Sequence, residues 1–228
     1  MKTVIINGQN HKGSTYNIGI SLARRLADDD EITEFFLPKD LNHFCLGCYT
    51  CLKDDTKCPF YDDKKVIADA IDDADLLILT TPNYCMMPSA PMKSFIDLFF
   101  QYWIPHRPRA NMFRKKAVVI STTAGTGAGK ACTMLKRTLA YWGVPYIQKY
   151  SISVQASSWN DVSQKKKDKI EKNITRLAHK IESNKAGKPS PYIRFMFNMM
   201  ALSKKNPDDP ESEYWKSMGW FDGKRPWK

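Results

Sequence analysis

The sequence lacks an apolar run long enough to cross a lipid bilayer. Its longest uncharged stretch, residues 76–92, is interrupted by three prolines, whereas a membrane-spanning helix needs roughly 20 consecutive apolar residues. We therefore expect no membrane span. No signal-peptide pattern precedes the first apolar segment, which begins at residue 3. With six cysteines, four of them between residues 45 and 58, the chain fits a reducing cytoplasm better than a secreted disulfide scaffold.

Concentrated basic charge is also missing, although the formal net charge is +11. The lysines and arginines spread over residues 107–116, residues 165–180 and the C-terminal tail. The group at 165–180 alternates with acidic residues on a predicted helix, which is typical of a solvated helix face. We therefore expect no nucleic-acid partner. The four histidines are scattered, so that neither a histidine metal site nor a Ser–His–Asp set is predicted.

Three apolar segments each run into a loop of small polar residues, and each loop precedes a helical pattern. Continuous apolar strands separated by helices indicate a parallel sheet that is covered on both faces. The chain contains five such β–α units, which predicts an α/β fold with a doubly wound sheet of strand order 2-1-3-4-5. The predicted strands are residues 3–6, 32–37, 76–80, 117–121 and 146–154, and the predicted helices are residues 15–27, 62–70, 89–102, 128–141 and 161–183.

The loops after the first, third and fourth strands should meet, because the carboxyl ends of parallel strands share one edge of the sheet. The first loop lacks both a Walker lysine pattern and Gly-x-Gly-x-x-Gly, which argues against a triphosphate substrate. It has Gly13-Ser14-Thr15-Tyr16 at a helix start, where hydroxyl and N–H groups can hold a phosphate dianion. A simple helix cap by Ser14 is the structural alternative.

The second and third loops suit a flat ring system. Pro82-Asn83-Tyr84 places an aromatic ring on a backbone that proline constrains. Residues 123–129 contain three glycines, which allow backbone N–H groups to approach a ring edge closely. Together the three loops predict a site for a phosphorylated planar cofactor.

Three motifs, residues 5–16, 81–97 and 121–127, together resemble the flavodoxin-like NAD(P)H-dependent FMN reductase superfamily. The resemblance covers residues 1–183 and implies a flavodoxin-like fold, bound FMN, and NADH or NADPH as the reductant. It also implies that no side chain acts as an acid or base, because the flavin performs the chemistry. The residues that it assigns to FMN binding are Gln9, His11, Ser14, Thr15 and Tyr16 in the first loop, Pro82, Asn83, Tyr84, Cys85 and Met86 in the second, and Thr123, Gly125, Thr126 and Gly127 in the third. Gln9 and His11 depart from the superfamily pattern, which has Ser and Arg in many members.

The cysteine loop (residues 43–61) carries Cys45-x2-Cys48-x2-Cys51-x6-Cys58. Three closely spaced thiolates followed by a fourth suit a cubane iron–sulfur cluster. Structural zinc usually takes two cysteine pairs separated by a dozen or more residues, and free thiols or a labile disulfide need no metal. The spacing resembles that of iron–sulfur flavoproteins, which implies a [4Fe–4S] cluster on these four cysteines. The remaining two, Cys85 and Cys132, are expected to be packing residues and not metal ligands.

The residues and the resemblance together predict a cytoplasmic flavoprotein oxidoreductase. It would transfer electrons from NAD(P)H through FMN to an unknown small-molecule or protein acceptor. We expect FMN rather than FAD, because the first loop suits one terminal phosphate and no adenine-binding half follows. The alternatives are an electron-transfer module that does not use NAD(P)H directly and a binding protein without flavin.

Residues 1–184 are predicted to form the flavodoxin-like domain, and residues 185–228 a C-terminal extension. The extension contains an apolar helical pattern over 192–202 and a Trp-rich end. So much apolar surface needs cover, which predicts docking on the body or across a partner in a homodimer or higher homo-oligomer, near the flavin as a lid. The basic segment 107–116 is expected to attract an anion such as the 2′-phosphate of NADPH.

Overall fold

The computed structural model describes all 228 residues, Met1–Lys228, around one central sheet. Five parallel strands run in the order β2-β1-β3-β5-β6, which confirms the predicted flavodoxin-like order 2-1-3-4-5. A short additional strand, β4, pairs antiparallel with the end of β3. The strands are β1 Thr3–Asn7, β2 Ile32–Phe36, β3 Leu76–Tyr84, β4 Met87–Pro88, β5 Lys116–Thr123 and β6 Tyr146–Ser153.

Helices cover both faces of the sheet. They are α1 Ser14–Ala23, α2 Thr50–Lys53, α3 Tyr61–Asp73, α4 Ala90–Leu98, α5 Ala128–Tyr141, α6 Gln164–Ser183, α7 Pro191–Ser203 and α8 Ser212–Ser217. Alternate strand residues point to opposite faces. Val4 and Ile6 therefore join the apolar cluster under α3, α4 and α5, whereas Ile5 joins the cluster under α1 and α6. Burial on both sides explains why the strands are continuously apolar.

The largest departure from the predicted elements lies in the second loop. Strand β3 continues to Tyr84 instead of ending at residue 80, and it turns back through Cys85 and Met86 into β4. Both turn residues have positive φ, 50° for Cys85 and 67° for Met86, as a type I′ hairpin turn requires. The turn favours Asn-Gly, so Cys-Met gave no signal for it.

Helix bounds differ less. Helix α1 ends at Ala23 and not at residue 27, and α4 ends at Leu98, after which Phe100–Tyr102 form a 3-10 turn. Helix α3 is longer than predicted, because it runs to Asp73. None of the helices combines the length and the apolar character that a membrane span requires.

A third apolar cluster joins the C-terminal extension to the α4–β5 connection (residues 99–115). Phe197 and Trp215 of the extension pack with Ile104 and Phe113 of the connection. Its hydrogen bonds to the body go to the same connection and to Tyr141 of α5. The connection enters β5 at the amino end of that strand, opposite the three polar loops. The expectation that the extension forms a lid near the flavin is therefore wrong.

Candidate functional site

The first loop presents unpaired N–H groups at the start of α1. Its backbone is tied to the sheet by the Gly8 N–H, which donates to Thr80 O at 2.7 Å. The backbone N–H groups of Ser14, Thr15 and Tyr16 donate to no protein acceptor. Gly13 is the N-cap residue and Ser14 the first helical residue, so that Ser14 does not cap the helix. Its hydroxyl and the three N–H groups can contact the same anion.

The other predicted residues of this loop support its shape. The Thr15 side chain is buried, and its hydroxyl lies 2.6 Å from that of Thr122, which joins the first loop to the third. The Tyr16 ring is buried against Phe36, with a centroid separation of 5.7 Å. Buried Gln9 donates from its side-chain amide to His11 O at 3.1 Å, whereas His11 itself is exposed. In this structure Ser14 and His11 are thus open to a ligand, and Thr15 and Tyr16 offer only their backbone.

The β3–β4 hairpin presents an aromatic ring and a thioether at the same edge. Tyr84 is 56% exposed and Met86 is 42% exposed. Cys85 at the tip is exposed, so the expectation that it is a packing residue is wrong, whereas Cys132 is buried. The left-handed turn turns the Cys85 side chain away from the core. Pro82 is buried under the hairpin.

The third loop fits closely against this hairpin. The Asn83 side-chain amide donates to Thr126 O at 3.0 Å, and the Gly125 N–H donates to Thr123 Oγ1 at 3.3 Å. Gly127 has φ +96°, and a Cβ there would lie 2.5 Å from Met86 Sδ. A side chain at this position would therefore clash and would also strain the backbone. By contrast, a Cβ on Gly125 would enter open space.

These observations fit a flavin mononucleotide. The loops supply a cluster of free donors for a phosphate, an exposed aromatic ring and a glycine-rich border. Asn83 Oδ1 is buried without a hydrogen-bond partner, which leaves an acceptor for a ligand donor. No aspartate or glutamate occurs in residues 7–17, 81–89 or 122–129. The loops can therefore bind and orient a cofactor but offer no carboxylate as an acid or base.

The four cysteines of the cysteine loop line one cavity. Its apolar walls are Leu46, Tyr49, Phe60, Leu98 and Phe100. Cys45 and Cys48 are exposed, Cys51 is buried and Cys58 is half-buried, and all four are free thiols. No three His, Cys, Asp or Glu side chains converge closely enough to bind a single metal ion. Each cysteine of a cubane cluster binds a different iron, so four thiols around one cavity fit a [4Fe–4S] cluster as a donor set.

Two of the thiols have shifted acidity. Burial raises the pKa of Cys51 to about 11, although the Lys64 ammonium acts in the opposite direction. The Thr50 hydroxyl lies 2.9 Å from Cys48 Sγ, and its hydrogen bond lowers the pKa of that thiol. Lys64 itself is only 2% exposed. Sequence reasoning missed it, although it shares the buried face of α3 with Ile67 and Ile71 at helical spacing.

A family model described as NADPH-dependent FMN reductase matches residues 1–158. The chain belongs to this family. It is therefore a flavodoxin-like oxidoreductase of the NADPH-dependent FMN reductase family.

Proteins similar in sequence to this chain include iron–sulfur flavoproteins. One from Archaeoglobus fulgidus is 26% identical over 195 residues, covering 84% of this chain and 86% of the relative. Another from Methanocaldococcus jannaschii is 34% identical over 100 residues, covering 42% of this chain and 51% of the relative. An FMN-dependent NADH-azoreductase from Bacillus anthracis, solved with FMN, superimposes with a TM-score of 0.56 at 14% identity. It covers 78% of this chain and 100% of the azoreductase.

The basic segment, residues 107–116, is not a free anion site. The Arg107 guanidinium donates to Leu52 O and Lys53 O, and that of Arg109 donates to Asp55 Oδ2 at 3.2 Å. Buried Lys115 donates to main-chain carbonyls at the end of α3. These cations are committed to the protein itself, so the expected contact with the 2′-phosphate of NADPH is not supported.

Proposed function

We propose that the protein oxidises NADH or NADPH and passes the electrons through bound FMN to a further acceptor. The observation that carries this proposal is the meeting of the three polar loops at the carboxyl edge of the sheet. They are joined there by the Thr15–Thr122, Asn83–Thr126 and Met86–Gly127 contacts. When bound, FMN supplies hydride acceptance and electron transfer.

The residues of the chain then bind and orient this cofactor. The N–H groups of residues 14–16 and the Ser14 hydroxyl hold the phosphate, with His11 and Gln9 shaping the loop around it. The segment 82–86 and the loop 123–127 border the ring system, where Asn83 Oδ1 accepts a hydrogen bond. The exposed Tyr84 and Met86 side chains form the surface on which the nicotinamide and the acceptor bind.

The cysteine loop is proposed to carry a [4Fe–4S] cluster. Cys45, Cys48, Cys51 and Cys58 line a single cavity, and relatives of the chain are named iron–sulfur flavoproteins. A bound cluster would take up and release single electrons. The cysteines would hold it as thiolates.

We further propose that the protein acts in the cytoplasm as a homodimer. A cavity of about 440 Å³ between α4 and α5 has apolar walls that include Ile96, Phe100 and Trp103. Trp103 is also 38% exposed. Such a surface suits a second copy of the chain, and sedimentation analysis tests it.

Anaerobic purification followed by absorption spectroscopy tests the redox centres. We expect FMN as the flavin released on denaturation, and near four irons per chain after anaerobic reconstitution. Mixing with NADPH or NADH should bleach the flavin absorbance rapidly. Bound FMN that neither nucleotide bleaches would identify an electron-transfer module, and a chain that binds no flavin would contradict the proposal. Iron at background level after reconstitution would reject the cluster but would leave the FMN proposal standing.

A further inference from the structure

Asp55 connects the cysteine loop to the body of the protein. It lies between Cys51 and Cys58 in the sequence. Its carboxylate accepts from the Gln101 amide at 2.9 Å, from Arg109 at 3.2 Å and from the buried Lys64 ammonium at 3.4 Å. Two of these donors belong to the α4–β5 connection. One acidic side chain of the cysteine loop is thus held by three donors from outside it.

Arg107 of the same connection holds the main chain of the cysteine loop. Its guanidinium donates to Leu52 O at 3.1 Å and to Lys53 O at 2.8 Å, directly after Cys51. Residues 42–49 form no helix or strand, so they supply few internal hydrogen bonds. The order of residues 42–49 therefore comes from contacts with their surroundings, such as the hydrogen bond that Ser94 donates to His43 O, while Arg107 and Asp55 fix the adjoining residues 52–55.

The C-terminal extension covers the other side of the α4–β5 connection. The Tyr214 ring lies under the Arg107 guanidinium, 4.4 Å from it, and the Tyr214 hydroxyl donates to Pro108 O at 2.7 Å. Burial raises the pKa of Tyr214 to about 12, so the hydroxyl keeps its proton at neutral pH. The Trp215 indole N–H donates to His106 O at 2.6 Å, and buried Glu211 lies 3.1 Å from His106 Nδ1.

We propose that the C-terminal extension positions the cysteine loop for cluster binding, acting through Arg107. The proposal deepens the assignment of a cluster to the four cysteines and rests on it. A cluster requires four thiolates held at fixed positions, and neighbouring hydrogen bonds fix such ligands. Tyr214 orients Arg107, and Arg107 with Arg109 fixes residues 52–55. Tyr214, Arg107 and Arg109 are positioning residues that touch no iron.

The test substitutes Tyr214→Ala in the full-length chain, with Tyr192→Ala as the matched control. Tyr192 belongs to the same extension but is 57% exposed and hydrogen-bonds only to Tyr141. Amide hydrogen exchange of residues 45–58 in the metal-free protein, iron per chain after anaerobic reconstitution, and FMN content are measured. We expect Tyr214→Ala to speed exchange in that segment at least tenfold and to halve the iron, with FMN unchanged. Tyr192→Ala should change none of the three.

Arg107→Ala provides the second variant, which leaves the extension intact. It should reproduce both effects, and the double variant should show no further increase, since the two residues act in series. If Tyr214→Ala does not fold, Tyr214→Leu, which keeps apolar bulk but removes the ring under Arg107, and Arg107→Ala carry the same comparison. Wild-type exchange rates in folded Tyr214→Ala and Arg107→Ala proteins would overturn the positioning role. A wild-type protein with FMN but no iron would instead reject the cluster, and the exchange rates would still decide the role of the extension.

Discussion

Individual side chains divide the candidate flavin site into groups that meet the ligand and groups that build the loop. Ser14 and Thr15 are neighbours with the same chemistry but different surroundings. The Ser14 hydroxyl makes no protein hydrogen bond, whereas the buried Thr15 hydroxyl is bonded to Thr122 at 2.6 Å. Sequence motifs assign both residues to the phosphate, since a motif does not record where a side chain points.

The two hydroxyls should therefore respond differently to removal. Ser14→Ala should weaken FMN binding by about 1.5–3 kcal/mol, which is the usual value of a hydrogen bond to a charged group. It should leave the thermal midpoint of the flavin-free protein unchanged. Thr15→Val is the matched variant and should lower that midpoint, because it leaves Thr122 without its buried partner. Calorimetric titration with FMN and thermal unfolding measure the two effects, and equal losses of affinity in both variants would contradict the assignment.

Two glycines of the third loop provide a second comparison. Gly127→Ala should destabilise the flavin-free protein by about 1–2 kcal/mol, since an alanine at φ +96° is strained and its Cβ meets Met86 Sδ. Gly125→Ala should have little effect on stability, because the space around that position is open. Chemical denaturation measures both. A Gly127→Ala protein as stable as the Gly125→Ala protein would contradict both the left-handed backbone at residue 127 and the close contact with Met86.

Substitution of Lys64 should change the redox potential of the proposed cluster. Lys64→Gln removes a buried positive charge that acts on Cys51 and Cys48, whereas Lys65→Gln removes the same charge from an exposed neighbour. Reduction adds a negative charge to a cluster, and a nearby cation favours it. Lys64→Gln should therefore make the cluster midpoint potential more negative, while Lys65→Gln should not change it. Redox titration monitored by electron paramagnetic resonance measures the midpoint potential of the cluster. Equal potentials in the two variants would exclude this role for Lys64.

Secondary-structure elements were predictable where burial dictates the residue pattern. The central residues of β1, β3 and β5 (4–6, 76–79 and 117–120) are buried and apolar on both faces, so the number and order of these strands followed from the sequence. The β3–β4 hairpin did not follow, because Pro82 suggested a loop and the turn uses Cys85 and Met86 in left-handed conformations. The roles of Arg107 and Arg109 were equally hidden, since their partners Lys53 and Asp55 lie 54 residues earlier in the chain.

The hairpin turn carries a prediction of its own. Cys85→Asn should raise the free energy of unfolding by about 0.5–1 kcal/mol, because asparagine tolerates positive φ better than cysteine. Met87→Asn, one residue beyond the turn in β4, should not stabilise the protein, since asparagine is disfavoured in strands. Thermal unfolding of the flavin-free variants compares them. A lower midpoint for Cys85→Asn would indicate that the turn is not left-handed in solution.

At the scale of the whole molecule, the candidate flavin site and the cysteine cavity lie at opposite ends of helix α4. Ser89, which caps this helix, donates to Gly8 O of the first loop, whereas Leu98 at the other end lines the cysteine cavity. Nine helical residues correspond to roughly 13 Å. The C-terminal extension lies at the cysteine end, so changes in the extension should leave FMN content unaffected.

The packing of the C-terminal extension on the rest of the protein can be tested by substituting the buried residue Glu211. Glu211 is 1% exposed and forms an ion pair with Lys204, while its second oxygen faces His106 of the α4–β5 connection. Removing one partner of a buried ion pair is strongly destabilising, because the other charge loses its compensation. Asp209 still pairs with Lys204 at 3.0 Å, so Glu211→Gln should lower the free energy of unfolding by about 2–3 kcal/mol, somewhat less than a complete loss of compensation. The exposed Glu213→Gln should stay within about 0.5 kcal/mol of the wild type.

The number of unfolding transitions reports whether the extension and the body unfold together. Because the third apolar cluster spans extension and body, calorimetry should record one transition for each variant. A separate low-temperature transition in Glu211→Gln would show instead that the extension unfolds independently of the sheet.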